Sequence, residues 1–398
     1  MKDRQIESLI KKETARQKKV VNLIPSENYV SKDVLTALGS IFDNKYAEGY
    51  PGKRYYGGNT VTDELELLCQ KRAREAFKLS EKLWHVNVQP HSGSPANLAV
   101  YLGLVPMGGK IMGMTLTAGG HLTHGQKVSL TGKAWQQVSY GVDPKTEKLN
   151  YEELKKLAKK EKPNLIVAGF TAYPRMVDFK KFREIADACG AFLMVDMSHV
   201  AGLVAGGAYN SPFPYADVVT TTTHKTLRGP RSAIIFSRKD KKVADKDIST
   251  LIDKAIFPGL QGGPHLGQIA AVAVALKEAS TPAFKQYAKQ VVKNSQALAK
   301  ELARLGWRIV SGGTESNLLL VDTWMGGKGL PGKEAEVKLE KAGIIVNKNT
   351  IPGETRSPFD PSGIRLGPPA ETTRGKKEKD MIKIAQKIDI ILRNGAKA

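Results

Sequence analysis

Between residues 60 and 270 short apolar runs alternate with stretches of helical periodicity. The runs at 165–170 (LIVAGF), 191–195 (AFLMV), 218–223 (VVTTTT) and 233–236 (AIIF) have strand length and carry β-branched or aromatic residues. Strands and helices in alternation predict a mostly parallel sheet with helices on both faces. Residues 1–20 read as an exposed, charged helical arm. Farther along, Phe284, Tyr287, Val291, Leu298 and Leu302 keep a helical spacing, so a helix near 275–302 is expected to join two parts of the chain. Strand-like segments at 308–310, 317–321 and 343–346 follow and predict a smaller α+β unit, with Gly326–Gly332 a short loop. The predicted organisation is an arm at 1–20, a large domain at 21–274 and a small C-terminal domain at 275–398.

Composition adds limits. With 398 residues, 41% of them apolar, the chain can bury the cores of two domains. It has no run of eighteen apolar residues, which argues against a membrane span. The N-terminal segment has no apolar core and contains Asp3, Glu7 and Glu13, unlike a signal or transit peptide. Only Cys69 and Cys189 are present, which points to a reducing cytoplasm, and neither has metal-ligand spacing, so no metal is expected. Sixty-one Lys and Arg against 39 Asp and Glu give a net charge of +22. The excess is visible in 11–19, 239–246 and 374–380, where acids are interleaved and aromatics are missing. That pattern reads as a solvated lysine-rich surface with no specific nucleic-acid partner; a field that steers anions is the alternative.

The candidate chemistry sits where strands run out. The 218–223 run ends in His224-Lys225, followed by Gly229, Pro230 and Arg231. Open α/β sheets bind ligands beyond the carboxyl ends of their strands. A lysine there, beside Arg228 and Arg231, is expected to have a lowered pKa and to serve as a Schiff-base amine, as pyridoxal phosphate (PLP) chemistry requires. Taken alone it would read as a surface lysine. The 191–195 run ends in Asp196, a suitable partner for a protonated pyridinium nitrogen, or by itself a helix cap. After the apolar run 86–88, His91-Ser92-Gly93-Ser94-Pro95-Ala96-Asn97 opens a helix with small residues and hydroxyls, a cradle for a phosphate. It is not a P-loop. Cradle, acid and lysine, in that order and each at a strand end, point together to PLP.

These segments resemble serine hydroxymethyltransferase. The resemblance runs through LIPSENYVS (23–31), NKYAEGYPGKRYYGG (44–58), NVQPHSGSPAN (87–97), GGHLTHG (119–125), VDMSHVAGLVA (195–205), VVTTTTHKTLRGPR (218–231), FPGLQGGP (257–264), NKNTIP (347–352) and SPFDPSGIRLG (357–367). It implies a fold-type I PLP-dependent transferase: an α/β large domain with a mostly parallel sheet flanked by helices, plus a smaller α+β C-terminal domain. It also implies transfer of the serine hydroxymethyl group to tetrahydrofolate, giving glycine, 5,10-methylenetetrahydrofolate and water, in a cytoplasmic homodimer.

The same resemblance assigns roles. Lys225 carries the cofactor, with Thr222 and His224 beside it among the catalytic group; Asp196 pairs with the ring nitrogen and His121 stacks on the ring. Thr171 and His199 lie near the phenolic oxygen. Ser92, Gly93 and Ser94 hold the phosphate, completed by Gly262 and Gly263 of a neighbouring subunit; QGGP alone would read as a plain turn. Arg365 binds the substrate carboxylate, since a planar fork matches it bidentately, with Ser26 assisting; by itself Arg365 could be a strand-end ion pair. Tyr46, Glu48 and Tyr56 reach the partner's site, with Glu48 the acid–base group, although the Gly-rich segment in isolation reads as a sticky loop or an interface patch. Leu116, Gly120, Leu122, Asn349, Ser357, Pro358 and Phe359 form the folate pocket. Departures from the family are extra residues at 79–85, expected as a surface loop, Gly267 in place of a histidine, and Arg228 in place of a small residue. A folate-independent β-hydroxy-amino-acid aldolase is the alternative enzyme, and an RNA-binding protein on a dead PLP scaffold the non-enzyme alternative. Intact Lys225, Asp196 and Arg365 argue against the latter, and Glu48 with Ser357-Pro358-Phe359 against the former.

Overall fold

In the computed structural model, which describes residues 1–393, seven strands form one sheet. In chain order they are β1 (Trp84–Asn87), β2 (Lys110–Met114), β3 (Gln136–Tyr140), β4 (Leu165–Gly169), β5 (Phe192–Asp196), β6 (Val218–Thr222) and β7 (Ala233–Arg238). Across the sheet they run β1-β7-β6-β5-β4-β2-β3. Only β7 is antiparallel to its neighbours; all other pairings are parallel. The sheet is therefore mostly parallel, as expected. Along each central strand successive side chains enter opposite cores. Ile166, Ala168, Leu193, Val195 and Phe236 pack with Phe182 on one face. Leu165, Val167, Met194, Val218 and Ile235 pack with Tyr101 on the other. Both faces being covered explains why these strands read as unbroken apolar runs rather than as alternation.

A second sheet of four antiparallel strands joins Arg308–Ile309, Leu319–Asp322, Gly363–Leu366 and Asn347–Asn349. Its core gathers Leu298, Leu319, Val321, Leu339, Ile364 and Leu392, and takes in Leu23 from the beginning of the chain. The predicted strand at 343–346 is a two-residue strand, Ile344–Ile345, which leaves this sheet and pairs with Val21–Asn22.

Two further expectations change. The helix near 275–302 is two helices, Leu266–Ala279 and Pro282–Arg304. The Thr281 hydroxyl caps the second, accepting from the Phe284 N–H at 3.3 Å, and Pro282 starts it. A proline has no N–H to continue the first helix but suits the first turn of a new one. Of the expected loop at 79–85, Trp84 and His85 belong to β1, because the Trp84 side chain is buried against Phe213. The arm is a helix, Arg4–Lys19, capped by Asp3, and buries none of its residues. Among the described residues no helix is long and apolar enough to cross a membrane.

The Tyr46–Tyr56 segment is pinned by one buried cation. Arg54, at the end of the Gly49–Tyr50/Lys53–Arg54 hairpin, donates to Glu66 at 2.6 Å, to Asp63 at 2.8 Å, and to the carbonyls of Ala47 and Gly49. Glu66 is fully buried and also accepts from the Gln89 amide. Glu66→Ala leaves that guanidinium underpaired in the interior, and urea unfolding is expected to show a loss of about 3 kcal/mol, the scale for breaking a buried pair from one side. An unchanged midpoint would mean that Asp63 alone satisfies Arg54.

Candidate active site

The carboxyl ends of β4, β5 and β6 and the N-terminus of the helix Gly93–Leu104 enclose a cavity of about 380 Å³. Ser92, Gly93, Ser94, Asp196, His199, Thr222, His224, Lys225 and Arg365 line it together with Ser26, His121 and Thr171. The turn into the helix requires glycine, since a Cβ on Gly93 would lie 2.6 Å from the Thr222 methyl. Ser92 caps the helix by position only; its hydroxyl makes no cap bond. The helix N-terminus thus offers unpaired N–H groups and a free hydroxyl to an anion.

Asp196 ends β5 inside the protein. Its Oδ1 accepts from the Ser198 hydroxyl at 2.6 Å and the Ser198 N–H at 3.1 Å. Its Oδ2 accepts from Asn97 at 2.9 Å and from His124 Nε2 at 3.2 Å. Burial alone would raise its pKa; the bonds from His124, Ser198 and Asn97 outweigh it and hold the carboxyl well below the usual carboxylate range. His124 Nδ1 accepts the His121 N–H at 3.2 Å, so the ring proton sits on Nε2 and points at Asp196. Neither His124, Asn97 nor Ser198 stood out in the sequence. Their only signal was proximity: His124 one tight turn after His121, Asn97 one helical turn after Gly93, Ser198 two residues beyond the acid.

Lys225 follows β6 and its Nζ donates to the Thr222 hydroxyl at 2.7 Å. Burial, then the neighbouring Arg365 and Arg231, bring its pKa down to about 8 against the pull of Asp196. Arg228 is not among the causes. Its guanidinium turns away from the site and lies over the rings of Tyr287 and Phe284. The expected cation effect exists, but Arg365 supplies it in place of Arg228.

Three histidines surround this amine. Burial, then the His124 ring, lowers His121 to about 4, and burial, then Lys225, lowers His224 to about 3. Burial, then Lys225 and Arg365, also holds His199 well below its ordinary value. All three are neutral at pH 7 and present uncharged ring faces or lone pairs. His199 Nδ1 and His224 Nδ1 are buried without a partner.

Arg365, on the strand Gly363–Leu366, donates from Nη1 to the Thr171 carbonyl at 2.6 Å and from Nε to Asn347 at 3.1 Å. No carboxylate pairs with it among the described residues, and burial lowers its pKa to about 10. A buried guanidinium without an acid is a receptor for one. The Thr171 hydroxyl donates to the Gly120 carbonyl at 2.8 Å, so Thr171 ties the His121 loop to Arg365.

The remaining candidates lie outside this cavity within one chain. Tyr46 and Glu48 are joined by a hydrogen bond of 3.3 Å, and Tyr56 stands edge-on to Tyr46. Gly262 abuts Glu48 and Gly263 abuts Tyr46. Tyr46 and Tyr56 are more than half exposed. Leu116 and Leu122 are exposed, as are Ser357, Pro358 and Phe359, while Asn349 bonds to the Thr350 carbonyl and Gly120 is buried.

The sequence profile described as Serine hydroxymethyltransferase matches residues 1–388. A protein named Serine hydroxymethyltransferase from Desulfotalea psychrophila (strain LSv54 / DSM 12343) is 53% identical over 392 residues, 98% of this chain and 89% of that protein. The chain belongs to the serine hydroxymethyltransferase family. Its sheet, with β7 alone reversed, and its smaller C-terminal sheet are the fold-type I architecture of this family.

The electrostatics yield a direct test. In the cofactor-free chain, amine-selective labelling read by mass spectrometry is expected to give Lys225 a midpoint near 8, against about 10.4 for unperturbed lysines. Arg365→Gln removes one neighbouring cation and moves that midpoint up. A Lys225 midpoint at the value of surface lysines would contradict the assigned causes.

Proposed function

We propose that this chain is a PLP-dependent glycine hydroxymethyltransferase that interconverts serine and tetrahydrofolate with glycine, 5,10-methylenetetrahydrofolate and water. One observation carries the reading. A buried amine of lowered pKa, a buried ionised carboxylate and a buried arginine without an acid face one cavity whose wall is a helix N-terminus. The residues fit PLP, whose aldehyde requires the amine, whose ring nitrogen requires the acid, and whose phosphate requires the helix end. When bound, PLP supplies an electron sink at the substrate's alpha carbon.

The protein's own part follows from positions. Arg365, with Ser26 beside it, takes the amino-acid carboxylate and orients the alpha carbon over the cavity. Lys225 Nζ, resting on Thr222, is uncharged often enough near neutral pH to act as a nucleophile and to accept a proton. Asp196 stays ionised and would keep a PLP ring nitrogen protonated. His121 contributes a neutral ring, and Thr171 and His199 offer polar groups beside it, His199 with an unpartnered Nδ1. His224 borders the amine. Ser92, Gly93 and Ser94 would hold the phosphate.

Glu48 moves protons at the transferred carbon, and Tyr46, Tyr56, Gly262 and Gly263 act with it in the cavity of a second subunit. In support, these residues form one cluster outside the cavity that holds Lys225, with Tyr46, Tyr56 and Gly262 exposed. Leu116, Gly120, Leu122, Asn349, Ser357, Pro358 and Phe359 provide the folate surface. The working unit is a homodimer in the cytoplasm, where Cys69 and Cys189 stay as thiols. A large domain at 21–274 and a small one at 275–398 carry the two halves of the site.

Glu48→Gln is expected to reduce tetrahydrofolate-dependent serine cleavage by a factor on the order of 10²–10⁴, the contribution of a positioned acid–base group. Folate-independent cleavage of phenylserine should persist. Equal loss of both activities would reduce Glu48 to a brace, and a wild-type enzyme indifferent to tetrahydrofolate would favour an aldolase.

Subunit exchange tests the shared site. Lys225→Ala and Glu48→Gln proteins, each inactive alone, should recover part of the activity when mixed, because a mixed dimer holds one site with both residues intact. Verified exchange without recovery would put the whole site in one chain.

A further inference from the structure

Lys225 is held by its backbone as well as by its amine. Its carbonyl accepts from Asn28 Nδ2 at 3.0 Å. The same Nδ2 donates to the Tyr287 hydroxyl at 2.8 Å. On the other side of the carboxamide, Oδ1 accepts from the Thr373 hydroxyl at 2.7 Å and from the Tyr29 N–H at 2.9 Å. A primary amide has two donor hydrogens and two acceptor lone pairs. All are used, so Asn28 has one orientation.

Tyr287 continues the grip. Its side chain is buried and its hydroxyl donates to the Thr226 carbonyl at 3.3 Å. Its ring lies 4.4 Å from the Arg228 guanidinium, with the Phe284 ring 5.1 Å away. Arg228 has φ +60°, a left-handed conformation that residues with a Cβ rarely adopt, and its N–H donates back to the Lys225 carbonyl at 3.1 Å. The stack on the two rings holds that turn in place. Three consecutive features of the lysine loop, the carbonyls of 225 and 226 and the turn at 228, thus meet one cluster. Its members come from the 23–31 segment, the long helix Pro282–Arg304 and the short helix Pro369–Thr373. Asn28 itself does not line the cavity.

We infer that Asn28 is a positioning residue for Lys225: its carboxamide, backed by Tyr287 and Arg228, sets the backbone from which the amine reaches Thr222 and the cavity. The inference rests on the proposed role of Lys225. A lysine side chain is long and flexible, so the place of its amine depends on where its backbone is anchored. A misplacement of about 1 Å at a reacting group costs up to the order of 10²-fold in rate.

Asn28→Asp keeps size and both acceptors but loses both donors and places a charge against the Lys225 carbonyl. Tyr287→Phe keeps the ring under Arg228 and removes only the hydroxyl. In the holoenzyme both variants are expected to lower kcat for serine cleavage by about tenfold while KM for serine stays within about twofold, since Arg365 is untouched. In the cofactor-free chain the pH midpoint for labelling Lys225 shifts in both, upward in Asn28→Asp, where the added negative charge favours the ammonium. Lower melting temperatures with wild-type kcat and an unmoved midpoint would overturn the inference and leave Asn28 a brace. If Asn28→Asp does not fold, Tyr287→Phe decides by the same two readings. Should the wild type lack folate-dependent activity while the labelling midpoint still shifts in the variants, the functional reading falls and the positioning role stands.

Discussion

A carboxylate sealed at the end of a central strand must be met by donors or it takes up a proton. Asp196 meets this condition with four hydrogen bonds from three residues, and each residue ties in a different part of the site. Asn97 belongs to the helix whose first turn lines the cavity, and the Thr220 hydroxyl on β6 donates to its Oδ1 at 2.8 Å. His124 belongs to the loop that presents His121. Ser198 turns back to accept the Thr222 N–H at 2.9 Å, and Thr222 in turn supports the Lys225 amine. Keeping one acid ionised therefore registers the helix N-terminus, the His121 loop and Lys225 against each other. Loss of any donor disturbs the charge of Asp196 and the placement of a neighbour at once.

The threonines of β6 show how the strand changes function along its length. Val218 and Val219 enter the two cores, one on each face. At Thr220 and Thr222 the same β-branched shape keeps the strand conformation but adds a hydroxyl to the network, while the Thr221 hydroxyl bonds to the Thr222 carbonyl. Valines there would pack as well, but would take the Thr220 hydroxyl from Asn97 Oδ1 and the Thr222 acceptor from the lysine amine.

Much of this was legible in the sequence because it depends on local pattern. Strand runs of the right length end at Asp196 and just before Lys225, and the cavity lies at those ends. The break at Thr281-Pro282 was missed: the apolar spacing that predicts one helix begins only at Phe284 and takes no account of the proline that starts the second helix. What stayed hidden depends on side-chain direction or on distant pairing. Arg228 is close to Lys225 in sequence, yet its positive φ aims the guanidinium at Tyr287. Arg365 lies far away in sequence, yet it supplies the cation that acts on the amine. Two-residue strands such as Val21–Asn22 carry no periodicity, so their pairing with Ile344–Ile345 had no signal at all. The Glu48 and Gly262 cluster was found only through resemblance, since nothing local distinguishes it from an exposed loop.

The charge balance of the cavity explains why such a site is costly when empty. Lys225, Arg365 and Arg231 line it with Asp196 as the one carboxylate. A base whose pKa is lowered on folding penalises the folded state, because the unfolded chain binds the proton more tightly. For Lys225 the penalty is fully present below about 8, where both states are protonated, and is relieved as pH rises from there toward the unfolded value. Any anion that enters the cavity acts on this cost directly, because it brings the compensating charge that the chain does not provide. A ligand binding only the folded state adds RT ln(1 + [L]/Kd), about 2.7 kcal/mol at a hundredfold excess over Kd. The same arrangement that makes the amine nucleophilic and leaves the arginine without an acid thus links stability to occupancy. A carboxylate placed beside Arg365 by mutation would stabilise the empty protein and close the site.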